Sequence, residues 1–272
     1  MKIGTYTLNS NRVALMGIVN VTPDSFSDGG NFLVATRAIE HALKLAENGA
    51  DILDIGGEST RPGADAVDLK EELKRVIPVI EGIRKSSNVP ISIDTNKAPV
   101  AREAIEVGAD MINDISAGRF DGEIFEVARV SEKPICLMHM KGTPRNMQNS
   151  TSYNNLLAEI ANFLEDSAKE AVKAGIGADN VILDPGIGFG KSPEDNLDIL
   201  RNLSVFKKIG YPLLVGASRK SFIGSTLDLN VKERLEATLG TIPASIEGGA
   251  DILRLHDVLQ AKRFLDMYYL LR

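Results

Sequence analysis

Wherever a short apolar run of this chain gives out, a polar or charged side chain follows. Asn20 comes after run 13–19, and Asp54 and Glu58 lie at and beyond run 52–55. Asp94 follows run 90–93, Asn113 and Asp114 stand in run 111–115, and His139 follows run 134–138. Asp184 follows run 181–183, and Ser218, Arg219 and Lys220 come after run 212–215. Arg254 and His256 close run 251–255, two apart and so on one face of a strand. Asp94, Asn113 and Asp184 supply in-plane acceptors, and Asn113 a donor, for a flat heterocycle rich in N–H groups. Lys220, Arg254 and His256 are cations or donors suited to phosphate, and Asn20 suits a metal that such a phosphate carries. An Asp after a strand is ordinarily a helix cap or turn former. Helix caps do not call for Asn, Lys, Arg and His at successive strand ends, so the set points to one shared site.

The elements that position these side chains follow from periodicity. Several of the eight apolar runs are β-branched and unbroken, as in parallel strands covered on both faces. Between them, Ala35, Ala38, Ile39, Ala42, Leu43 and Ala46 recur at helical spacing before Gly49. Leu156, Ile160, Phe163, Leu164, Ala168, Ala171 and Val172 do so before Gly175. Gly49-Ala-Asp, Gly108-Ala-Asp and Gly249-Ala-Asp read as one αβ turn used three times. Pro78 and Pro243 fall inside helical patterns and are expected to kink or shorten them. Eight strand–helix units predict an α/β fold, a single (β/α)8 TIM barrel with its chemistry on the loops that follow the strands. Residues 5–8 suit a hairpin over the other end. A doubly wound open sheet satisfies the same periodicity. With no linker or low-complexity stretch, residues 1–272 read as one domain.

The 272 residues are 43% hydrophobic and 25% charged, with a net charge of −6. This argues against general binding to nucleic acid or anionic membrane. The opening MKIGTYTLNS has no apolar core of a secretory signal, and no eighteen-residue apolar stretch occurs. The single cysteine, Cys136, lies in an apolar run and reads as an inert buried thiol. A reducing cytoplasm is expected. Residues 185–192, PGIGFGKS, look like a phosphate-binding loop but have proline where the first glycine is required, and they lack dinucleotide-fingerprint spacing. The glycines there suggest a tight loop whose backbone a ligand approaches. Lys220 at a strand end suits a Schiff base in principle.

Two longer strings are more specific. Asn20-Val-Thr-Pro-Asp-Ser-Phe-Ser-Asp-Gly29 and Asp54-Ile-Gly-Gly-Glu-Ser-Thr-Arg-Pro-Gly63 resemble the two loop signatures of the dihydropteroate synthase family. The resemblance continues through Ile93-Asp-Thr95, Ile112-Asn-Asp114, Met138-His-Met140, Asp184 to Lys191, Ser218-Arg-Lys-Ser221 and Arg254-Leu-His256, in the family's order over essentially the whole chain. It implies a transferase of folate biosynthesis that joins a dihydropterin methyl pyrophosphate to p-aminobenzoate and releases pyrophosphate, with Mg2+. By resemblance, Asp94, Asn113, Asp184 and Lys220 bind the pterin, and Met138 and Arg254 flank its rings. Asn20, Arg254 and His256 hold the pyrophosphate and its metal. Thr60, Arg61 and Pro62 sit on a mobile second loop, while Phe189, Lys220 and Ser221 shape the p-aminobenzoate side. Asp94, Lys220, Arg254 and His256 are the residues expected to carry catalysis.

The first loop is then expected to close over bound pyrophosphate and to bring Phe26 against the p-aminobenzoate ring. Asp24 and Asp28 face the amine, the metal or the developing cation, three roles the sequence leaves open. Sulfonamides are expected competitors. The apolar C-terminal residues Phe264, Leu265, Met267, Tyr268 and Leu271 suggest a homodimer face, and packing onto the barrel explains them equally well. The rival readings are a pterin-binding methyltransferase acting on a corrinoid and a pterin-binding paralogue without turnover. The first of these has no need of Thr60-Arg-Pro62 or of Lys220 with Ser221.

Overall fold

A computed structural model describes residues 1–8, 11–22, 31–61, 63–149 and 151–272. Asp24, Phe26, Asp28 and Pro62 lie outside the described residues. Among the described residues, ten strands run in chain order: β1 (Lys2–Ile3), β2 (Tyr6–Thr7), β3 (Ala14–Asn20), β4 (Ile52–Gly56), β5 (Ile91–Asp94), β6 (Met111–Asp114), β7 (Ile135–Met138), β8 (Val181–Asp184), β9 (Leu214–Val215) and β10 (Ile252–Leu255). The last eight form one parallel sheet in the order β8-β7-β6-β5-β4-β3-β10-β9. A parallel bridge between Leu183 and Leu213, with the Leu183 N–H donating to Pro212 O at 2.9 Å, joins its two edges. The sheet is therefore a (β/α)8 barrel and not the open alternative. β1 and β2 pair antiparallel, and Ile3 is buried with the lower interior of the barrel, so the expected hairpin caps that end.

Alternation along each strand sorts the side chains. Ala14, Met16, Ile52, Met111, Cys136, Ile182, Leu214 and Ile252 share one buried cluster inside the barrel. Their neighbours Leu15, Leu53, Ile112, Leu137, Leu183, Val215 and Leu253 belong to the larger cluster under the helices. Two residues along four of these inward rows, the side chains turn polar: Ile52 gives way to Asp54, Met111 to Asn113, Ile182 to Asp184, Ile252 to Arg254. The same period that fills the lower barrel with hydrocarbon thus delivers the polar set to its C-terminal end.

The three Gly-Ala-Asp turns are the same device. Gly49, Gly108 and Gly249 have φ of 101°, 117° and 92°, left-handed backbone that glycine adopts without penalty. Each closes a helix with a paired bond, such as Gly49 N to Ala46 O and Ala50 N to Leu45 O, both 3.0 Å. The Asp then caps the start of a neighbouring strand. Asp51 accepts from Leu15 N at 2.9 Å, Asp110 from Ile91 N at 3.1 Å and Asp251 from Leu213 N at 2.7 Å. A cation completes each carboxylate: Arg12, Arg84 and Lys207 respectively.

Pro243 behaves as expected, since the helical stretch breaks at Thr241 and restarts as Ile242–Glu247. Pro78 does not shorten its helix, which runs from Leu69 to Arg84 without a break. Val76, Val79, Ile80 and Ile83 are fully buried around it, and that packing outweighs one missing backbone bond. Among the described residues no helix is long and apolar enough to cross a membrane.

Candidate active site

At the C-terminal end of the barrel a cleft with about 320 Å³ of empty space is lined by Thr60, Asp94, Asn113, Ile115, Met138, Asp184, Ile187, Phe189, Gly216, Lys220 and Arg254. Eight of the residues expected to bind substrate therefore meet in one place. Arg61, Ser221, His256 and Asn20 do not line it. Arg61 is exposed, Ser221 opens helix Ser221–Leu227, and Asn20 ends β3.

Arg254 is held by two carboxylates. Its Nε donates to Asp54 Oδ2 and an Nη to Asp94 Oδ2, each at 2.6 Å. Asp54 has no solvent exposure, and it also accepts from Asn113 Nδ2 at 3.2 Å. That bond spends the amide donor of Asn113 below the cleft and leaves its carbonyl oxygen as the acceptor above. Asp184 gives Oδ1 to the Gly186 N–H at 2.7 Å and retains Oδ2. Asp94, Asn113 and Asp184 thus each keep an oxygen free for a ligand's N–H groups. Sequence reasoning placed Asp54 at a strand end but missed its task. The signal is its inward register two residues before Gly56, beneath the polar ring.

Burial controls the charges. It pushes the Asp94 carboxyl up to about 7 against the pull of Arg254, and Asp184 up to about 6 against the Gly186 bond and Lys220. It lowers Lys220 to about 8, helped by the neighbouring Arg254 charge and opposed by Asp184 and Asp94. The Lys220 ammonium sits 3.9 Å from the centre of the Phe189 ring, a cation–π contact that fixes both. Burial and the charge of Arg254 bring His256 down to about 4, so it is neutral near pH 7. Of the two roles read for it, cation or donor, this favours the donor. Ser218 Oγ accepts from the His256 backbone N–H at 3.2 Å and lies 3.0 Å from Nδ1. Donation from the Ser218 hydroxyl to Nδ1 leaves Nε2–H as a donor.

Two strand-end residues, Asp114 and His139, and the loop residue Lys191 are consumed by the scaffold. Asp114 accepts from Ser116 N and Oγ at 2.7 Å and from Gly118 N at 2.6 Å, which builds a turn. His139 lies 3.0 Å from Lys191 Nζ and packs its ring edge-to-face on Phe163 at 4.9 Å. Lys191, 2% exposed, donates to Gly186 O at 2.8 Å and Phe189 O at 3.0 Å. It is a pin inside its own loop and not a phosphate lysine. The glycines of that loop serve packing against protein: a Cβ on Gly186 would meet His139 O at 1.9 Å, and one on Gly190 would meet Lys141 O at 2.7 Å. Loop 139–141 makes a close backbone approach to these glycines, while Ile187 and Phe189 of the glycine-bearing loop line the cleft.

Among the described residues, no group of three or more His, Cys, Asp or Glu side chains is arranged to hold a metal. Asn20 gives one carboxamide oxygen, a hard donor that fits Mg2+ as one ligand among phosphate oxygens and waters.

The profile of the family described as "Pterin binding enzyme" matches residues 16–256. The dihydropteroate synthase of Synechocystis sp. is 52% identical over 248 residues, covering 91% of this chain and 86% of that protein. The structure of Xanthomonas albilineans dihydropteroate synthase with 4-aminobenzoic acid superposes with a TM-score of 0.91 at 42% identity, covering 96% of this chain and 94% of that one. The Yersinia pestis dihydropteroate synthase complex with a sulfonamide drug gives a TM-score of 0.93 at 41% identity, covering 100% and 98%. The chain belongs to the pterin-binding enzymes and, within them, to the dihydropteroate synthases, transferases of folate biosynthesis.

Proposed function

We propose that this cleft condenses 6-hydroxymethyl-7,8-dihydropterin pyrophosphate with p-aminobenzoate to give 7,8-dihydropteroate and pyrophosphate. The observation that carries the reading is the convergence of three unspent acceptors, on Asp94, Asn113 and Asp184, with Lys220 and Arg254. The acceptors take the pterin's N–H edge, while Met138 and Arg254 flank its rings. Arg254, Asn20 and the Nε2–H of His256 serve the pyrophosphate. When Mg2+ accompanies that group, Asn20 is one of its ligands, and the ion supplies charge neutralisation to the departing oxygens.

The C–O bond to the pterin's methylene breaks ahead of attack, and its electron pair leaves with pyrophosphate. Asp94 and Asp184, buried beside the ring, favour the positive charge that spreads through the pterin. The arylamine nitrogen then forms the C–N bond and loses its proton. Phe26, Thr60, Arg61, Pro62, Phe189, Lys220 and Ser221 form the arylamine side, and sulfonamides compete there. The pterin pyrophosphate binds first and completes the arylamine pocket. Lys220 acts as a hydrogen-bonding cation, since the reaction has no carbonyl for an imine to activate. Borohydride with substrate is expected to leave Lys220 unmodified, and a reduced adduct there would argue for the Schiff base.

We also propose a cytoplasmic homodimer formed through helix Val258–Leu271. Leu265 packs on the barrel, whereas Met267 and Leu271 are exposed. Sedimentation at micromolar concentration should give twice the chain mass. The functional reading is tested by pyrophosphate release. Release is expected only with both substrates present, and pterin binding without release would favour the non-catalytic paralogue.

A further inference from the structure

We infer that Lys97 and Glu58 are a positioning pair that sets how the second loop leaves the barrel, and that through it they govern arylamine binding without touching either substrate. The inference rests on the function proposed above. Glu58 follows β4 by two residues, and its carboxylate is paired with the Lys97 ammonium. Lys97 also pairs with Glu72, a carboxylate 1% exposed on helix Leu69–Arg84. Glu72 accepts in addition from Thr95 Oγ1 at 2.7 Å, and Thr95 Oγ1 accepts from Lys97 N at 3.3 Å. Burial opposes the Lys97 charge, but its hydrogen bonds to the Glu58 and Glu72 carboxylates hold its pKa above the ordinary range.

One residue earlier the stem is fixed twice more. Arg75 donates to Gly57 O at 2.8 Å, and a Cβ on Gly57 would lie 2.8 Å from Val76 Cγ1. Beyond Glu58, the next bond from the loop to the rest of the molecule among the described residues is Gly63 N to Pro144 O at 3.1 Å. Thr60, two residues past the Lys97 contact, lines the cleft. Lys97 is thus the last anchor before the loop meets its ligand. None of Lys97, Glu58 and Glu72 lines the cleft, so the buried charge of Glu72 and the half-buried charges of Lys97 and Glu58 serve position.

Glu58→Gln separates this task from folding, because it leaves Lys97 paired with Glu72. It should raise the KM for p-aminobenzoate about tenfold or more, the scale on which sub-ångström misplacement acts. The KM for the pterin pyrophosphate should stay within about twofold, with the thermal midpoint near wild type. Lys97→Met should do the same and Lys97→Arg should restore most of the loss. If Lys97→Met does not fold, Glu58→Gln decides. An arylamine KM within about twofold of wild type, or both KM values rising together, would overturn the inference.

A second readout does not depend on turnover. Cys136 is buried with its thiol pKa pushed up, so a nitroxide on Asp65→Cys labels the loop alone. Glu58→Gln should sharpen that spectrum, and an unchanged spectrum would overturn the anchor. Absence of turnover in wild type would instead count against the functional reading.

Discussion

Arg254 meets two carboxylates below the cleft, Asp54 and Asp94, and that arrangement leaves Asp184 as the cleft carboxylate not ion-paired with it. Asp184→Asn should keep the fold, since Oδ1 still serves Gly186 N. It should weaken pterin binding about 5- to 150-fold, because the amide presents a donor to the ligand's own N–H groups at roughly 1–3 kcal/mol. Calorimetry with a pterin checks this, and an affinity within twofold of wild type would remove Asp184 from the site. The raised carboxyl pKa values give a sign to the pH dependence. With Asp94 near 7 and Asp184 near 6, each takes up a proton as pH falls and loses an acceptor the pterin needs. Pterin affinity should fall from pH 7 to pH 5, and binding at pH 6.5 should release protons, seen as heats that depend on the buffer. Residue types were legible in the sequence, but what each is spent on was not. Asp114, His139 and Lys191 have the chemistry of site residues, yet turns and loops use all of it. Asp54 was legible only as a position, because its role is a contact with Arg254 two hundred residues away.

At the scale of elements, the Gly-Ala-Asp turns were legible because their chemistry is local. A left-handed glycine ends the helix, and the following Asp enters a strand beside another strand's start. The partners, Arg12, Arg84 and Lys207, come from elsewhere in the chain and carry no signal of that pairing. Asp110→Ala should leave the Ile91 N–H without its acceptor and remove the one carboxylate from Arg84, which keeps the Gly108 and Val89 carbonyls, at about 1–3 kcal/mol. A thermal melt should fall by several degrees, at roughly 2–4 °C per kcal/mol for a domain of this class, with turnover per folded molecule kept. A loss of turnover without a lower midpoint would mean that these turns reach the cleft. Pro78 shows the opposite case, where local sequence pointed to a kinked or shortened helix and buried neighbours kept its full length.

For the whole molecule, periodicity counted eight strands but did not say whether the two sheet edges meet, because closure is a contact between segments that local pattern does not describe. That contact is slight. β9 has two residues and touches β8 through one bridge, whereas β3 and β4 share five paired positions. A cylinder with one thin joint opens there first, so the amide hydrogen of Leu183, which bonds Pro212 O across it, should exchange with solvent at lower opening free energy than those of β3 and β4. Asp184 ends one side of the joint, and Gly216 and Lys220 follow the other. A pterin bound to Asp184 and Lys220 would splice the two sides. Exchange at the joint should then slow far more than exchange at β3 and β4, and the ligand would become the missing length of sheet.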